Sequence, residues 1–502
     1  MFPPIRFPVA LQTLLLSSLL SASAISQGRL IAAEPLKRPN IVLILVDDLG
    51  WRDWSAAGNE ICDTPTLDKL ARDGMQFTQA YAACAVCSPT RAAVQTGRYP
   101  GRVGVTDWIR SQFQRPGGKT PDANPTKYVG GAKNKVLCPP NPFWMESEEI
   151  TLAEMLRPTG YHTAYIGKWH LGDEAWYPEH QGFEVNFGGC DYGQPPNYFD
   201  PFNQPKGRHQ SLRDGIFKLP SRDPGEYLTD READEACKLI RQWKDEPFFI
   251  QLSHYAVHTP IQAPKDHIDK YLKDGVNRQQ ATYAAMVESV DRALAKVQTT
   301  LRELELEENT IIWFTSDNGG LDNGKGVPTE NLPLRQGKGH PYEGGIRIPT
   351  IVSWPGVVPA STSSNTPICS IDILPTLTEW CGVETPPDHV IDGVSLKNHL
   401  VSGGKEELAE RPLIWHFPHY RGSITPYSII RDGDWKLLHY YAGKDGRGTE
   451  SELYNLAKDP GELKNVIDAN LEVAERLEKS LMAELKSMNA KLPRENPNYS
   501  GK

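Results

Sequence analysis

The apolar positions of the chain gather into short runs with few polar interruptions. The clearest, 41–46, is a continuous stretch of β-branched residues and leucine, the pattern of a parallel strand buried on both faces. Runs at 161–166, 248–255, 310–315 and 350–353 read as further strands of the same kind. Before the second of these, a helix opening at Thr151 is stopped by Pro158-Thr159-Gly160. Val287, Val290, Leu294, Val297, Leu301 and Leu304 recur at three- and four-residue steps, which predicts a helix face packed on the sheet, with 303–308 as its solvated end. Beyond about residue 400 the texture changes. Runs 428–431 and 435–441 flank Asp432-Gly433 as a hairpin, and 471–488 is an amphipathic helix. The pattern predicts a large α/β domain over 37–400 and a small antiparallel unit with a closing helix over 401–490. Segments 107–142 and 188–224 are rich in Gly, Pro, Asn and aromatics without periodicity, the texture of loops that select a substrate.

Residues 1–24 carry Arg6, an apolar stretch with Leu14 to Leu16 and Leu19-Leu20, and then Ala22-Ser23-Ala24. They read as a signal peptide, and the polar residues Gln12, Thr13, Ser17 and Ser18 argue against a permanent membrane span. A periplasmic or secreted protein follows. The single glycosylation sequon, Asn498-Tyr499-Ser500, favours a bacterial periplasm. At 502 residues the chain has length for about three domains by the usual prior, though large α/β enzymes often exceed it. The formal net charge of −9 speaks against a nucleic-acid partner, and an anionic substrate would require a local basic pocket.

The ends of the runs carry the chemistry. The first ends in Asp47-Asp48, either a turn with solvated carboxylates or half of a cation site. The run at 310–315 ends in Ser316-Asp317-Asn318-Gly319-Gly320, and oxygen ligands on two strand ends suit Ca²⁺ or Mg²⁺ better than Zn²⁺. Two further ends deliver Gly167-Lys168-Trp169-His170 and His258-Thr259-Pro260. In open α/β sheets that edge is where ligands bind. Gly337-Lys338-Gly339 can present Lys338 to an anion, whereas Glu343 and Arg347 read as a structural ion pair. Ser88-Pro89 is a helix-start signal, which places Cys87 where helix amides favour a bound anion or a thiolate, with Arg91 one turn on. The bland alternative is a buried structural cysteine.

Cys87-Ser88-Pro89-Thr90-Arg91, followed by Thr96-Gly97-Arg98, resembles the signature of the type I sulfatases, in which the cysteine is oxidised to formylglycine. Segments 40–50, 167–170, 316–319 and 337–349 have counterparts in the same order, so the likeness spans most of the chain. Thr90 and Val94-Gln95 depart from the commonest pattern without removing a reacting group. The resemblance implies an alkaline-phosphatase-like fold, a large mixed, mostly parallel sheet flanked by helices with a small C-terminal α+β subdomain. It implies a divalent cation, usually Ca²⁺ with Mg²⁺ as the alternative, on Asp47, Asp48, Asp317, Asn318 and the modified Cys87. Arg91, Lys168 and Lys338 would neutralise a sulfate ester, Asp317 would assist deprotonation of the nucleophile, His258 would protonate the leaving alkoxide, and His170 would take the proton that releases sulfate.

The partners so implied are a sulfated saccharide and a formylglycine-generating maturase, with no nucleic acid and no membrane span. Arg110, Asp191, Tyr192, Asn197, Tyr198 and Arg208 are candidates for specificity. Competing functions are a formylglycine-dependent phosphonate or phosphodiester hydrolase, a zinc phosphatase, and, with Cys87 unmodified, a non-catalytic binder of sulfated glycans. Eight cysteines in an exported chain permit disulfides, although modification of Cys87 leaves an odd number.

Overall fold

Nine strands form the main sheet of this computed structural model, which describes residues 38–109, 121–207, 210–322, 328–444 and 450–501. In chain order the strands of the molecule are β1 (Asn40–Val46), β2 (Met75–Tyr81), β3 (Val136–Leu137), β4 (His162–Gly167), β5 (Val185–Phe187), β6 (Phe248–His254), β7 (Thr310–Ser316) and β8 (Arg347–Ser353). There follow β9 (Thr362–Ser364), β10 (Ile368–Cys369), β11 (Leu413–Phe417), β12 (Tyr427–Asp432), β13 (Trp435–Tyr440), β14 (Glu450–Asn455) and β15 (Arg494–Glu495). The main sheet runs β10-β2-β8-β7-β1-β6-β4-β5, with β9 also on β2. Only β8 runs antiparallel to its neighbours β7 and β2. All seven residues of β1, β6 and β7 are buried, as unalternated apolar runs require.

Helices cover the sheet. Leu228–Gln242 packs on β6 and β4 and against the long helix Arg278–Glu303, while Cys87–Thr96, Leu152–Leu156 and Ile373–Cys381 pack on one another. The long helix opens nine residues before the first periodic valine, because Asn277 and Gln280 form a reciprocal capping box, and Leu304 lies just past its end. Thr151 and Glu154 form a second capping box, and the short helix after it closes in a 3₁₀ turn at Gly160, whose φ is +91°.

The C-terminal sheet is β11-β12-β13-β14, antiparallel throughout, with helix Leu471–Ser487 packed on β12 and β13. Asp432 pairs with Trp435, so the turn of the hairpin is Gly433-Asp434, one residue later than the Asp-Gly pair suggests. The core of this sheet continues into the other domain, where Leu437, Ile429 and Trp415 pack with Tyr81, Ala83, Val86 and Ile346. Beyond the closing helix, β15 returns to pair with β3, a link that no periodicity signals. All eight cysteines are buried and none is disulfide-bonded, so the pairing that export would permit is not used.

Candidate active site

Strand register assembles the site. Val46 lies opposite Ser316 on one side and His254 on the other, and Gly167 lies opposite Ser253, so β7, β1, β6 and β4 end together on one edge. The residues after those ends therefore meet. Asp47 donates its backbone N–H to Ala256 O and accepts from Val257 N–H, and Asp317 N–H donates to Val46 O. Asp48 has φ +64° and His170 φ +62°, left-handed conformations that cost non-glycine residues energy and concentrate at functional sites.

Three carboxylates and three cations meet there without access to water. Asp47 takes Lys168 Nζ at 2.7 Å, Asp48 takes Lys338 Nζ at 2.6 Å, and Asp317 takes Arg91 Nη2 at 2.8 Å. Burial, with Asp317 beside it, pushes the Asp47 carboxyl up to about 8. For Asp48, burial is outweighed by Lys338, His258 and Lys168, which hold it below the ordinary carboxylate range. Oxygen donors are nonetheless left over. Asp48 Oδ2 and Asn318 Oδ1 are buried and accept no hydrogen bond, while Asn318 Nδ2 donates to Asp48 Oδ1 at 2.8 Å. Donor atoms of Asp47, Asp48, Cys87 and His258 all lie within 4.8 Å of one another. Orphaned hard oxygens inside a carboxylate cluster fit a divalent cation with oxygen ligands.

Cys87 opens the helix Cys87–Thr96, every residue of which is buried. Ser88 does not cap it. Its hydroxyl donates to His170 O and accepts from Ile109 N–H, tying the nucleophile helix to the turn after β4. Cys87 Sγ lies 3.7 Å from Asp47 Oδ1. Burial raises the Cys87 pKa despite Lys168 and Lys338, so a resting thiolate is disfavoured. Arg91 does not extend to a ligand position. Its Nε and Nη2 hold Asp317 and its Nη1 donates to Lys168 O at 2.6 Å, so it braces two other site residues.

His170 Nε2 donates to Ile109 O at 2.9 Å, leaving Nδ1 a buried acceptor without a partner. Burial and the nearby Lys168 and Arg91 hold its pKa well below the ordinary value, so the ring is neutral. His258 Nε2 stands 3.6 Å from Asp48 Oδ2, and its Nδ1 donates to Thr259 O. Burial and Lys338 lower its pKa to about 3. Lys338 rides on a loop locked by backbone contact, since a Cβ on Gly344 would meet Gln336 O at 2.0 Å and one on Gly319 would meet Gly344 O at 1.9 Å.

Some expectations change with the structure. Glu343 and Arg347 are 3.8 Å apart, but Glu343 belongs to Lys436 (3.1 Å) and the Tyr81 hydroxyl (2.7 Å), while Arg347 Nε donates to Thr78 O. Tyr198 is fully buried and its hydroxyl donates to Tyr255 O and His258 O, which makes it a support for the His258 loop. Asp191 and Tyr192 are buried, Asp191 accepting from Tyr177, and Asn197 donates to Asn203 O. Arg110 and Arg208 lie outside the described residues. No sequence signal marks the buried His254–Glu232 pair (2.6 Å) behind the end of β6, or Lys436, which contacts Glu343 and Glu462 from the other sheet.

A family model described as Sulfatase matches residues 39–383, and one described as N-sulphoglucosamine sulphohydrolase, C-terminal, matches 337–491. The chain is 32% identical over 473 residues to N-acetylgalactosamine-6-sulfatase of Canis lupus familiaris, covering 88% of this chain and 84% of that protein. The crystal structure of Ps i-CgsB in complex with k-i-k-neocarrahexaose is similar, with a TM-score of 0.73 at 27% identity over 89% of this chain and 93% of that one. Phosphonate monoester hydrolase of Agrobacterium radiobacter shares the fold, with a TM-score of 0.62 at 21% identity over 90% of this chain and 96% of that one. The chain belongs to the sulfatase family, type I, within the alkaline phosphatase superfamily. It is a sulfuric ester hydrolase. Among the described residues no helix is long and apolar enough to cross a membrane.

Proposed function

We propose that this enzyme hydrolyses O-sulfate groups of a sulfated carbohydrate, using formylglycine formed from Cys87 by a maturase and a Ca²⁺ ion held by Asp47, Asp48, Asp317, Asn318 and residue 87. The observation that carries the reading is the meeting of Cys87, inside Cys-x-Pro-x-Arg, with a buried carboxylate cluster whose Asp48 and Asn318 oxygens lack partners. Ca²⁺ is the ion that the family resemblance implies, and side-chain oxygen donors suit it or Mg²⁺. The canine relative is named for a 6-sulfated amino sugar, and Ps i-CgsB is complexed with an oligosaccharide. Residues 1–24, outside the described residues, are a signal peptide that delivers the chain to the periplasm or medium. The catalytic domain is 37–400 and the C-terminal subdomain 401–490.

Once in place, the cation neutralises sulfate charge and the formylglycine supplies the nucleophile. Lys168 and Lys338 donate to the sulfate oxygens, which lowers the cost of bringing an anion into a carboxylate cluster. Arg91 keeps Asp317 charged and fixed, since it outweighs burial there, so that Asp317 accepts the nucleophile's proton and passes it on. His258, with Nδ1–H fixed on Thr259 O, directs Nε2 toward the Asp48 side of the cluster. The proton it gives to the leaving alkoxide from Nε2 is one taken up by the ring when the anionic sulfate ester binds, with Lys338 beside it. The unpartnered Nδ1 of neutral His170 accepts the proton whose removal releases sulfate.

Peptide mass spectrometry of protein purified from its own export pathway tests the reading at position 87. Formylglycine there, with faster turnover of a sulfate ester than of the matched phosphate or phosphonate ester, supports it. An unmodified thiol in active protein overturns the mechanism, and faster phosphoester turnover moves the assignment to a phosphonate or phosphodiester hydrolase.

A further inference from the structure

Arg421 lies in the turn before β12, where it forms a bridge with Ile424, and among the described residues no ion pair involves it. Its guanidinium rests on the lysine loop. A Cβ built on Gly339, the residue after Lys338, would meet Arg421 Nη1 at 2.9 Å and Cζ at 3.0 Å. Gly339 N–H in turn donates to Ala85 O, two residues before Cys87, at 2.7 Å. Arg421 Nη1 has no hydrogen-bond partner although it is shielded from water, while the side chain as a whole is half-buried. A cation with an unsatisfied donor, set against the backbone that carries both Lys338 and Cys87, lacks an anion.

A cavity of about 430 Å³, lined by His419 and Tyr420 of the same turn and by Asp107, Asn134, Asn141 and Phe143, lies beside the turn that carries Arg421. Polar amides beside an aromatic wall are the surface that a pyranose ring takes. The lining comes from both the 107–142 segment and the C-terminal subdomain.

We infer that Arg421 is a specificity residue that binds a second anionic substituent of the saccharide, a sulfate or a carboxylate, beside the sulfate being cleaved. The inference rests on the sulfatase reading above and names the class of saccharide. The planar fork of arginine pairs two donors with two oxygens of either group, and glycine at 339 leaves space for it.

The test uses the full mature chain with Arg421→Met and Arg421→Lys, each checked for an unchanged melting temperature. kcat/KM is measured on an aryl sulfate and on saccharides carrying one sulfate, two sulfates, or one sulfate and one carboxylate. In Arg421→Met the preference for a second anion over the monosulfated sugar falls about tenfold or more, through KM, and Arg421→Lys recovers part of it. The two dianionic sugars show which oxyanion is taken. An equal loss on mono- and dianionic sugars overturns the inference while leaving the sulfatase reading intact. Calorimetric binding of the same sugars to Cys87→Ser and Cys87→Ser/Arg421→Met decides the question even if no sugar in the set is turned over. An unchanged preference in binding overturns the inference, and absence of aryl sulfate turnover by the wild type counts against the sulfatase reading alone.

Discussion

Two buried clusters of mixed charge lie within one molecule, one at the strand ends of the main sheet and one between that domain and the C-terminal sheet. In the first, Asp47, Asp48 and Asp317 face Lys168, Lys338 and Arg91. In the second, Lys436 sits between Glu343 (3.1 Å) and Glu462 (2.8 Å), with Tyr81 on Glu343 and Arg431 on Tyr81. Both are as buried as a hydrophobic core. They differ in what is left over. In the second, the one oxygen without a hydrogen bond, Glu462 Oε1, lies 2.8 Å from the Lys436 ammonium, and Glu462 Oε2 accepts Glu343 N–H at 2.6 Å, so each carboxylate already has its cation. The first keeps Asp48 Oδ2, Asn318 Oδ1 and His170 Nδ1 without hydrogen bonds and holds two left-handed non-glycine residues. Burial of charge alone therefore does not mark a functional site, because a closed network is architecture. Unsatisfied donors and acceptors on a strained backbone mark a site that awaits a ligand.

Removing the nucleophile should have the largest effect on the strand-end cluster. Cys87→Ala should cost at least about 10³-fold in kcat on a sulfate ester with little change in melting temperature. Any activity close to wild type would show that residue 87 does not react. Lys338→Met should cost about 10²- to 10³-fold, because it removes a fixed donor from a water-excluded site, and it leaves Asp48 without its nearest cation. Chelation should deepen that loss and lower the melting temperature of the wild type, and elemental analysis of the purified protein should find about one divalent ion per chain.

The closed cluster should respond the other way. Lys436→Met strands two buried carboxylates and should cost about 3–5 kcal/mol of stability, read by denaturant unfolding, with activity of the folded fraction within a few-fold of wild type. A large loss of kcat without loss of stability would put Lys436 in the catalytic machinery and erase the distinction. His258→Ala sharpens the first cluster from within. It should lose at least about tenfold more rate on a sulfated sugar than on an activated aryl sulfate, since only a poor leaving group needs the proton.

The smallest effect is a pH dependence. Burial, with Glu343 adding to it and Lys436 opposing, raises the Glu462 carboxyl to about 7. The folded state then binds the proton more tightly than the unfolded chain, so this group's contribution to stability is present at low pH and falls as pH rises from about 4.5 to about 7. Glu462→Gln should remove that slope, seen as a difference between the two unfolding free energies across the window. An identical slope in both proteins would show that Glu462 titrates as an ordinary carboxyl.

The strands bearing the site were legible because burial on both faces leaves an unbroken apolar run, and 41–46 and 310–315 read as such. Asp47-Asp48, Asp317-Asn318, Lys168, His170 and His258 were found because they follow directly from such runs. Capping boxes at Asn277 and Thr151 were readable in principle, and only the second boundary was placed. Ser88 ties two loops instead of capping the helix, because a hydroxyl that can cap can equally bridge, and the loops arrive only in three dimensions.

By itself the sequence determined which short segments become strands, which residues stand at their ends, and the Cys-x-Pro-x-Arg chemistry, because each depends on neighbours a few positions away. Tertiary structure alone decided the partners. Arg91 reaches Asp317 across 226 residues, Lys436 reaches Glu343 across 93, and Arg421 rests on Gly339 from another sheet. The physical reason is one of range. Backbone pattern reflects local sterics and burial, whereas a buried charge is stabilised by whichever opposite charge the completed fold brings within about 4 Å, and chain spacing carries no record of that distance.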